Sequence, residues 1–231
     1  MRPLEGRLAL VTGASRGIGA ETATVLARSG ARVVRVARSL EAGHHDGFDD
    51  HPCDMSDPAA VAALAAAVLA SLGTPDIVVS SAGAFDLTSF ERASVEDLQR
   101  QLAVNLVGPF TLARGLLPAM RARGSGLHVS LGSVADHNGF PENSVYSATK
   151  YGLRGLHESL SAEYRGSGVR FTLVSPGPTD TAMWDAVSAE SLAGIRKRSA
   201  MLRAADVAEA IHFVATRPSH VIIDWLRMGP V

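Results

Sequence analysis

The sequence predicts an α/β chain built on a doubly wound parallel sheet with helices on both faces. Two observations predict it. Short apolar runs rich in β-branched residues alternate with stretches of helical apolar spacing along the whole chain. The first such run meets a glycine-rich turn, then a helix, then a second β-branched run, which together make a βαβ unit.

In order, Arg7–Val11 reads as a buried strand, residues 12–19 as the glycine-rich turn, and Ile18–Ser29 as a helix closed by Gly30. Arg32–Ala37 is the second strand. Ser39–Cys53, with Gly43, Gly47, Pro52 and scattered acids, reads as a loop where such a fold usually places a helix. Asp57-Pro58 is an N-cap followed by proline at the first helical position, opening an alanine-rich helix that runs to Gly73. Ile77–Ser80 is a strand. Ser94-Val-Glu-Asp97 has the form of a capping box with Asp in place of Glu or Gln. It opens a long helix through Asn105 toward Met120, with a kink expected at Pro109, because proline deletes a backbone hydrogen bond. Leu127–Leu131 is a strand, Val145–Tyr164 a helix, and Val169–Val174 a strand ending at Ser175-Pro176-Gly177. An irregular stretch, a helix over Ala205–Thr216 and a last strand over Val221–Leu226 complete the chain. Neither repeats nor linkers are visible, so residues 1–231 are expected to form a single domain, with a substrate-side lid over residues 178–203.

Composition narrows the partners. A hydrophobic content of 46% supports a sizeable core. Lys plus Arg (22) nearly balances Asp plus Glu (23), so no field of one sign draws the chain to nucleic acid or to an anionic membrane, and a small-molecule partner is expected. A single cysteine, Cys53, allows no internal disulfide, which fits a reducing cytoplasm. The first residues lack a signal peptide's apolar region, and the apolar runs fall short of the ~20 residues that span a bilayer. A cytoplasmic location is expected.

Gly13-Ala-Ser15-Arg16-Gly17-Ile18-Gly19 lies between a strand and a helix, where glycines let the backbone approach a pyrophosphate and the helix N-terminus offers N–H donors. Its first two glycines are separated by three residues, so it is not the G-x-G-x-x-G fingerprint. Tyr146 and Lys150, four residues apart on a helix, project from one face. A free tyrosine titrates near ~10, and an ammonium held beside it favours the phenolate.

With Thr12–Gly19, Ser80-Ser81-Ala82-Gly83, Asn105, Ser133, Tyr146-Ser-Ala-Thr-Lys150 and Pro176-Gly177 in this order, the chain resembles the short-chain dehydrogenases/reductases over nearly its whole length. The resemblance implies a Rossmann-type fold that binds a nicotinamide dinucleotide and interconverts a carbonyl compound and its alcohol. It makes Tyr146 the general acid in carbonyl reduction and the base in alcohol oxidation, while Lys150 also holds the nicotinamide ribose hydroxyls. It makes Ser133 the group that fixes the substrate oxygen for hydride attack, and Asn105 the holder of a water linking Lys150 to solvent.

On the cofactor side it implies contacts from Gly13, Ser15, Arg16, Gly17, Ile18 and Gly19, and from Ser81, Ala82 and Gly83, where Ser80 and Ser81 replace the family's two asparagines. Asp54 resembles the residue that accepts from the adenine amino group, with the Met55 backbone beside it. Pro176, Gly177, Thr179 and Thr181 match positions that bind the nicotinamide carboxamide and phosphate. An NAD-preferring site carries an acid near the end of the second strand. This chain has Ala37 and then Arg38, and with Arg16 a second guanidinium is placed to pair with a 2′-phosphate, so NADP(H) is expected.

His44, His45 and His51 among Asp46, Asp49 and Asp50 read as an acidic solvated loop rather than a metal site, since no regular spacing directs them to one point. Phe85, Val134, Phe140, Met183 and Trp184 are expected to line the substrate pocket and favour an apolar or aromatic carbonyl. Relatives mostly assemble through the helices carrying Asn105 and Tyr146, so a homodimer or homotetramer is expected. The competing reading is a non-catalytic NADP(H)-binding sensor of the same fold; it requires lost catalytic residues, and all four are present.

Overall fold

A computed structural model describes residues 2–187 and 197–231. Its strands are β1 (Leu8–Thr12), β2 (Arg32–Val36), β3 (Gly43–His45), β4 (Phe48–His51), β5 (Ile77–Ser80), β6 (Gly126–Leu131), β7 (Val169–Pro176), β8 (Thr179–Asp180), β9 (Leu202–Arg203) and β10 (Trp225–Met228). Eight form one sheet in the order β10-β7-β6-β5-β1-β2-β4-β3, while β8 and β9 pair separately. Every ladder in the large sheet is parallel except β3 against β4. From β1 the chain steps outward through β2 to β4, then returns to β5 on the other side of β1. That reversal opens a crevice at the carboxyl ends of β1 and β5, where open α/β sheets bind ligands.

The helices are α1 (Gly17–Arg28), α2 (Pro58–Ser71), α3 (Val95–Leu102), α4 (Gly108–Arg123), α5 (Ser144–Glu163) and α6 (Ala204–Ala215). Two cores result, one on each face of the sheet. Leu10, Val34, Val78 and Phe171 pack against Leu64 and Val68 of α2 and Leu112, Leu116 and Leu117 of α4. Ala9, Val11, Val33, Val79 and Val129 pack against Leu26 of α1 and Val207, Ile211 and Val214 of α6. β1 is buried at every position because alternate side chains feed opposite cores. This is the doubly wound architecture the alternation predicts.

Local signals explain several boundaries. Asp57 Oδ1 caps α2 by accepting from the N–H groups of Ala59 and Ala60, at 2.9 and 3.2 Å. Ser94 and Asp97 form the reciprocal capping box, with Asp97 N donating to Ser94 Oγ at 3.0 Å and Ser94 N to Asp97 Oδ2 at 3.2 Å.

Three expectations need correction. Ser39–Cys53 is not a plain loop: β3 and β4 form a hairpin whose two turn residues, Asp46 (φ 48°) and Gly47 (φ 84°), both take positive φ. Asp-Gly is the pair that such a turn selects, so the signal was present in the sequence. Of the hairpin's three acids only Asp46, in the turn, is solvated, because Asp49 and Asp50 are buried on β4 and face Arg32 and Arg35 of β2. Arg32 donates from Nε and Nη2 to Asp49, at 2.6 and 2.8 Å, and Arg35 Nε donates to Asp50 at 2.6 Å.

The long helix is broken rather than kinked: Ala103–Val107 forms a π-helical turn and α4 begins at Gly108, with Pro109 in its first turn. Pro109 has no N–H to give to the Asn105 carbonyl four residues back. By length and a mean hydropathy of 1.3 the run Val95–Arg123 could cross a bilayer, but Leu112, Leu116, Leu117 and Met120 lie in the core. The last strand starts at Trp225 rather than Val221. Arg170 Nη1 takes the Val221 carbonyl at 2.9 Å and Thr172 Oγ1 takes that of Ile223 at 2.6 Å, so side chains replace the ladder there.

Candidate active site

Gly13 sits just past the end of β1 at φ 69°, and a Cβ there would lie 2.8 Å from Ala82 Cα. Gly19 touches the Gly13 carbonyl so closely that any side chain would collide. These glycines let α1 start directly under the strand ends. Arg16, the N-cap of α1, makes no side-chain cap, which leaves first-turn N–H groups to an outside acceptor. Thr12 straps the neighbouring strand end: its Oγ1 accepts from Ser81 N at 3.0 Å and Ala82 N at 3.1 Å. Ser80, which replaces an asparagine of the family, is buried with its hydroxyl unpaired.

Residues 13–19, Arg38, Asp54, Met55, Ser81, Ala82 and Gly83 line one cleft of about 1440 Å³ together with Ser133, Tyr146, Lys150, Pro176, Gly177, Thr179 and Thr181; only Ala14 of the run 13–19 lies behind it. Phe85, Val134, Phe140, Met183 and Trp184 line it too, and Phe85 stacks edge-on against both Tyr146 (4.8 Å) and Trp184 (5.1 Å). Of the expected site residues, Asn105 alone stands outside the lining. It is buried behind the wall, donating from Nδ2 to the Ala84 carbonyl (2.8 Å) and to Thr149 Oγ1 (2.9 Å) while accepting from Ala84 N (2.7 Å). Thr149 in turn donates to the Tyr146 carbonyl at 2.8 Å. Asn105 thus clamps the loop after β5 to the helix that carries Tyr146. Thr12 and Thr149 stand in the motifs Thr12–Gly19 and Tyr146–Lys150 but no role is expected of them, since a threonine at a strand end or inside a helix carries no signal of its own.

Tyr146 and Lys150 lie on one face of α5, buried, with Lys150 Nζ 5.6 Å from the Tyr146 ring centre and donating to the Leu131 carbonyl at 2.8 Å. Burial pushes the Tyr146 phenol up to about 12, hydrogen bonding with Ser133 pulls it back, and the Asp136 carboxylate adds to the rise. Loss of hydration thus acts against the depression expected from Lys150 and an oxidised nicotinamide together. Burial pushes Lys150 down to about 8, and Asp136 works against that.

At the adenosine end, Arg38 is 75% exposed and meets Asp54 only at 3.9 Å, a contact worth at most about 1 kcal/mol. The Arg16 guanidinium has no partner among the described residues. Asp54 Oδ1 accepts from Ser56 N and Oγ at 2.8 Å each, and these bonds hold its carboxyl below the usual carboxylate range. Beyond β7, Trp184 Nε1 donates to the Thr179 carbonyl at 2.9 Å, and Arg198 binds Asp180 and Asp185. Of the lid expected over 178–203, residues 188–196 lie outside the described residues.

Residues 7–192 match the short chain dehydrogenase family. The chain belongs to the short-chain dehydrogenase/reductase family. The D-threitol dehydrogenase of Mycolicibacterium smegmatis is 34% identical over 235 residues, covering 95% of this chain and 89% of its own. Among solved structures, a serine dehydrogenase complexed with NADP+ superposes with a TM-score of 0.86 at 28% identity, covering 96% of this chain and 94% of that one. The alcohol dehydrogenase of the archaeon Thermococcus sibiricus, complexed with 5-hydroxy-NADP, gives a TM-score of 0.87 at 27% identity and covers 97% of both chains. As a short-chain dehydrogenase/reductase, the chain is an oxidoreductase built on the Rossmann-type fold.

Proposed function

We propose that this short-chain dehydrogenase/reductase is NADP(H)-dependent and interconverts a carbonyl compound and its alcohol. The observation that carries the reading is the meeting of Ser133, Tyr146 and Lys150 at one end of a cleft whose other end holds two guanidiniums and a glycine turn. The cleft exceeds the ~300–1,000 Å³ of a single drug-sized ligand, as a dinucleotide plus a substrate requires.

The residues present fit the cofactor. The glycines clear the approach to the pyrophosphate, and the uncapped N-terminus of α1 offers N–H donors to it. Arg38 follows the end of β2, where an NAD-selective site carries an acid, and with Arg16 it suits a 2′-phosphate. Both structural neighbours described above were solved with NADP-type dinucleotides. NADPH, when bound, supplies the hydride to the carbonyl carbon.

The chain's own residues handle the oxygen and the proton. The Ser133 and Tyr146 hydroxyls hold the substrate oxygen, and Tyr146, kept as the phenol by burial, gives it a proton as the alcohol forms. Lys150, which would hold the nicotinamide ribose hydroxyls when the dinucleotide is bound, is the buried ammonium that restores the proton to Tyr146. The Asn105 side chain has used both donors on Ala84 and Thr149, so a water joining Lys150 to solvent rests on the main-chain carbonyl that Pro109 cannot satisfy. Phe85, Trp184, Phe140 and Met183 suit an apolar or aromatic carbonyl. We further propose that the chain acts as one unit in the cytoplasm and as a homodimer or homotetramer.

The test is NADPH oxidation with a panel of aldehydes, ketones and 3-oxo acids, repeated with Tyr146→Phe. Turnover is expected to fall at least ~100-fold in the variant with NADPH binding retained. Undiminished turnover would falsify the mechanism, and cofactor binding without turnover of any substrate would favour a sensor. Arg38→Ala is expected to weaken NADPH at least ~10-fold while changing NADH little, the loss of a charge-assisted contact to one phosphate.

A further inference from the structure

Asp136 is fully buried in the short turn Val134–Asp136, which follows β6 and packs on α5. Oδ2 of its carboxylate accepts from Ser133 N at 3.0 Å and from Ser175 Oγ at 2.6 Å, and Oδ1 meets His137 Nδ1 at 2.6 Å. Ser175 accepts from Trp225 Nε1 at 2.8 Å, and the His137 ring stands edge-on to Trp225 at 5.3 Å. Oδ2 presses so closely on Gly132 that any Cβ there would collide with it. Three donors and a bare glycine converge on one carboxylate whose removal from water would otherwise cost several kcal/mol.

From these contacts we infer that Asp136 is a positioning residue: it seats Ser133 and supplies a fixed negative charge beside the Tyr146–Lys150 pair, favouring carbonyl reduction over alcohol oxidation. The inference rests on the proposed roles of Ser133, Tyr146 and Lys150. A carboxylate near a phenol opposes the phenolate, and near an ammonium it opposes loss of the proton, so both proton-bearing partners are kept loaded. Asp136 acts upward on both groups: it adds to the rise that burial gives Tyr146, and at Lys150 it opposes the stronger lowering by burial. The charged and titratable groups facing Asp136 are His137 on its own turn and Tyr146, Lys150, Arg154 and His157 on α5. β7 and β10 present the neutral Ser175 and Trp225, the latter lying under the Arg154 and Arg227 guanidiniums.

Asp136→Asn keeps the shape and removes the charge. Ultraviolet titration of the full chain, with Tyr146→Phe subtracted, reads the Tyr146 phenolate without any substrate. In Asp136→Asn its onset is expected at lower pH by at least about half a unit. An unmoved or higher onset in a variant that binds NADPH overturns the inference. Should Asp136→Asn not bind NADPH, Ser175→Ala decides: it leaves the charge but removes a donor that neutralises it, so the onset moves to higher pH, and an unmoved onset overturns the inference. With a substrate in hand, the pH limb of kcat for alcohol oxidation in Asp136→Asn shifts downward in parallel. A uniform loss of kcat with the limb in place marks a merely structural residue and counts against the role. Failure of the Tyr146→Phe test would remove the proposed mechanism while leaving the phenolate titration readable, so the two failures are distinguishable.

Discussion

At the scale of single residues, the site owes its geometry to side chains that touch neither cleft nor solvent. Asn105 satisfies the N–H and C=O of Ala84 and, through Thr149, the Tyr146 carbonyl, all behind the cleft wall. Asn105→Ala takes the partner from the part-buried N–H and C=O of Ala84, each costing less than the upper end of the ~1–3 kcal/mol of a fully buried unpaired group. A loss of about 2–4 kcal/mol is expected. In a chain of 231 residues that lowers Tm by roughly 4–16 °C, and kcat should fall with it because the turn carrying Tyr146 loosens. A calorimetric Tm within ~1 °C of wild type would show that the clamp is dispensable. The same reasoning says why this scale was only half legible in the sequence. Tyr146 and Lys150 are marked by type and spacing, and Ser133 and Asn105 by the resemblance to the family. Asp136 is not, since Ser133-x-x-Asp136 reads as an ordinary capping box, and its charge acquires meaning only where β6, β7 and α5 converge.

At the scale of elements, β6 and α5 bury two imidazoles that no expected function uses. His128 is buried with neither nitrogen bonded, and His157 Nδ1 lies 3.3 Å from Ser130 Oγ. Burial pushes His128 down to about 3, the neighbouring His157 adding to the effect, and pushes His157 down to about 4. Both stay neutral in the folded chain, whereas in the unfolded chain they titrate near ~6.5. The unfolded state therefore binds more protons below that pH. Stability is full above about 6.5 and declines as the pH falls toward 4 and then 3, by up to about 1.4 kcal/mol per pH unit for each histidine. Urea denaturation between neutral and mildly acid pH should show this slope, and His128→Leu, which also removes two unpaired buried nitrogens, should flatten it and raise stability at neutral pH. An unchanged slope would exclude His128 as a source. Element boundaries were legible where a local rule acts alone, as at Asp57-Pro58 or Ser94–Asp97. They were missed where side chains from elsewhere intervene: Arg170 and Thr172 displace the start of β10, and Arg32 and Arg35 turn an acidic stretch into a buried strand.

At the scale of the whole molecule, the strand order turns two sequence-distant segments, residues 12–19 and 131–150, into the ends of one cleft. The outer surface of the same half carries apolar side chains that this fold does not cover. Val107 and Phe110, three apart at the start of α4, and Tyr151 on α5 are exposed, and Gly152 lets α5 close on Leu106 beside them. Phe90 and, at the start of α3, Val95 are exposed as well. Exposed apolar side chains of this kind suit the proposed assembly, in which a symmetric pairing of α4 and α5 with a second copy would cover those on these two helices. Sedimentation velocity is expected to give a dimer or tetramer, and Phe110→Glu, placing a charge on that face, is expected to shift the population to the smaller species. A monomer in the wild type at micromolar concentration would refute the assembly. Because α4 and α5 also hold Asn105, Tyr146 and Lys150 in place, the dissociated variant should lose Tm as well as mass, and its kcat should recover when high protein concentration restores the larger species.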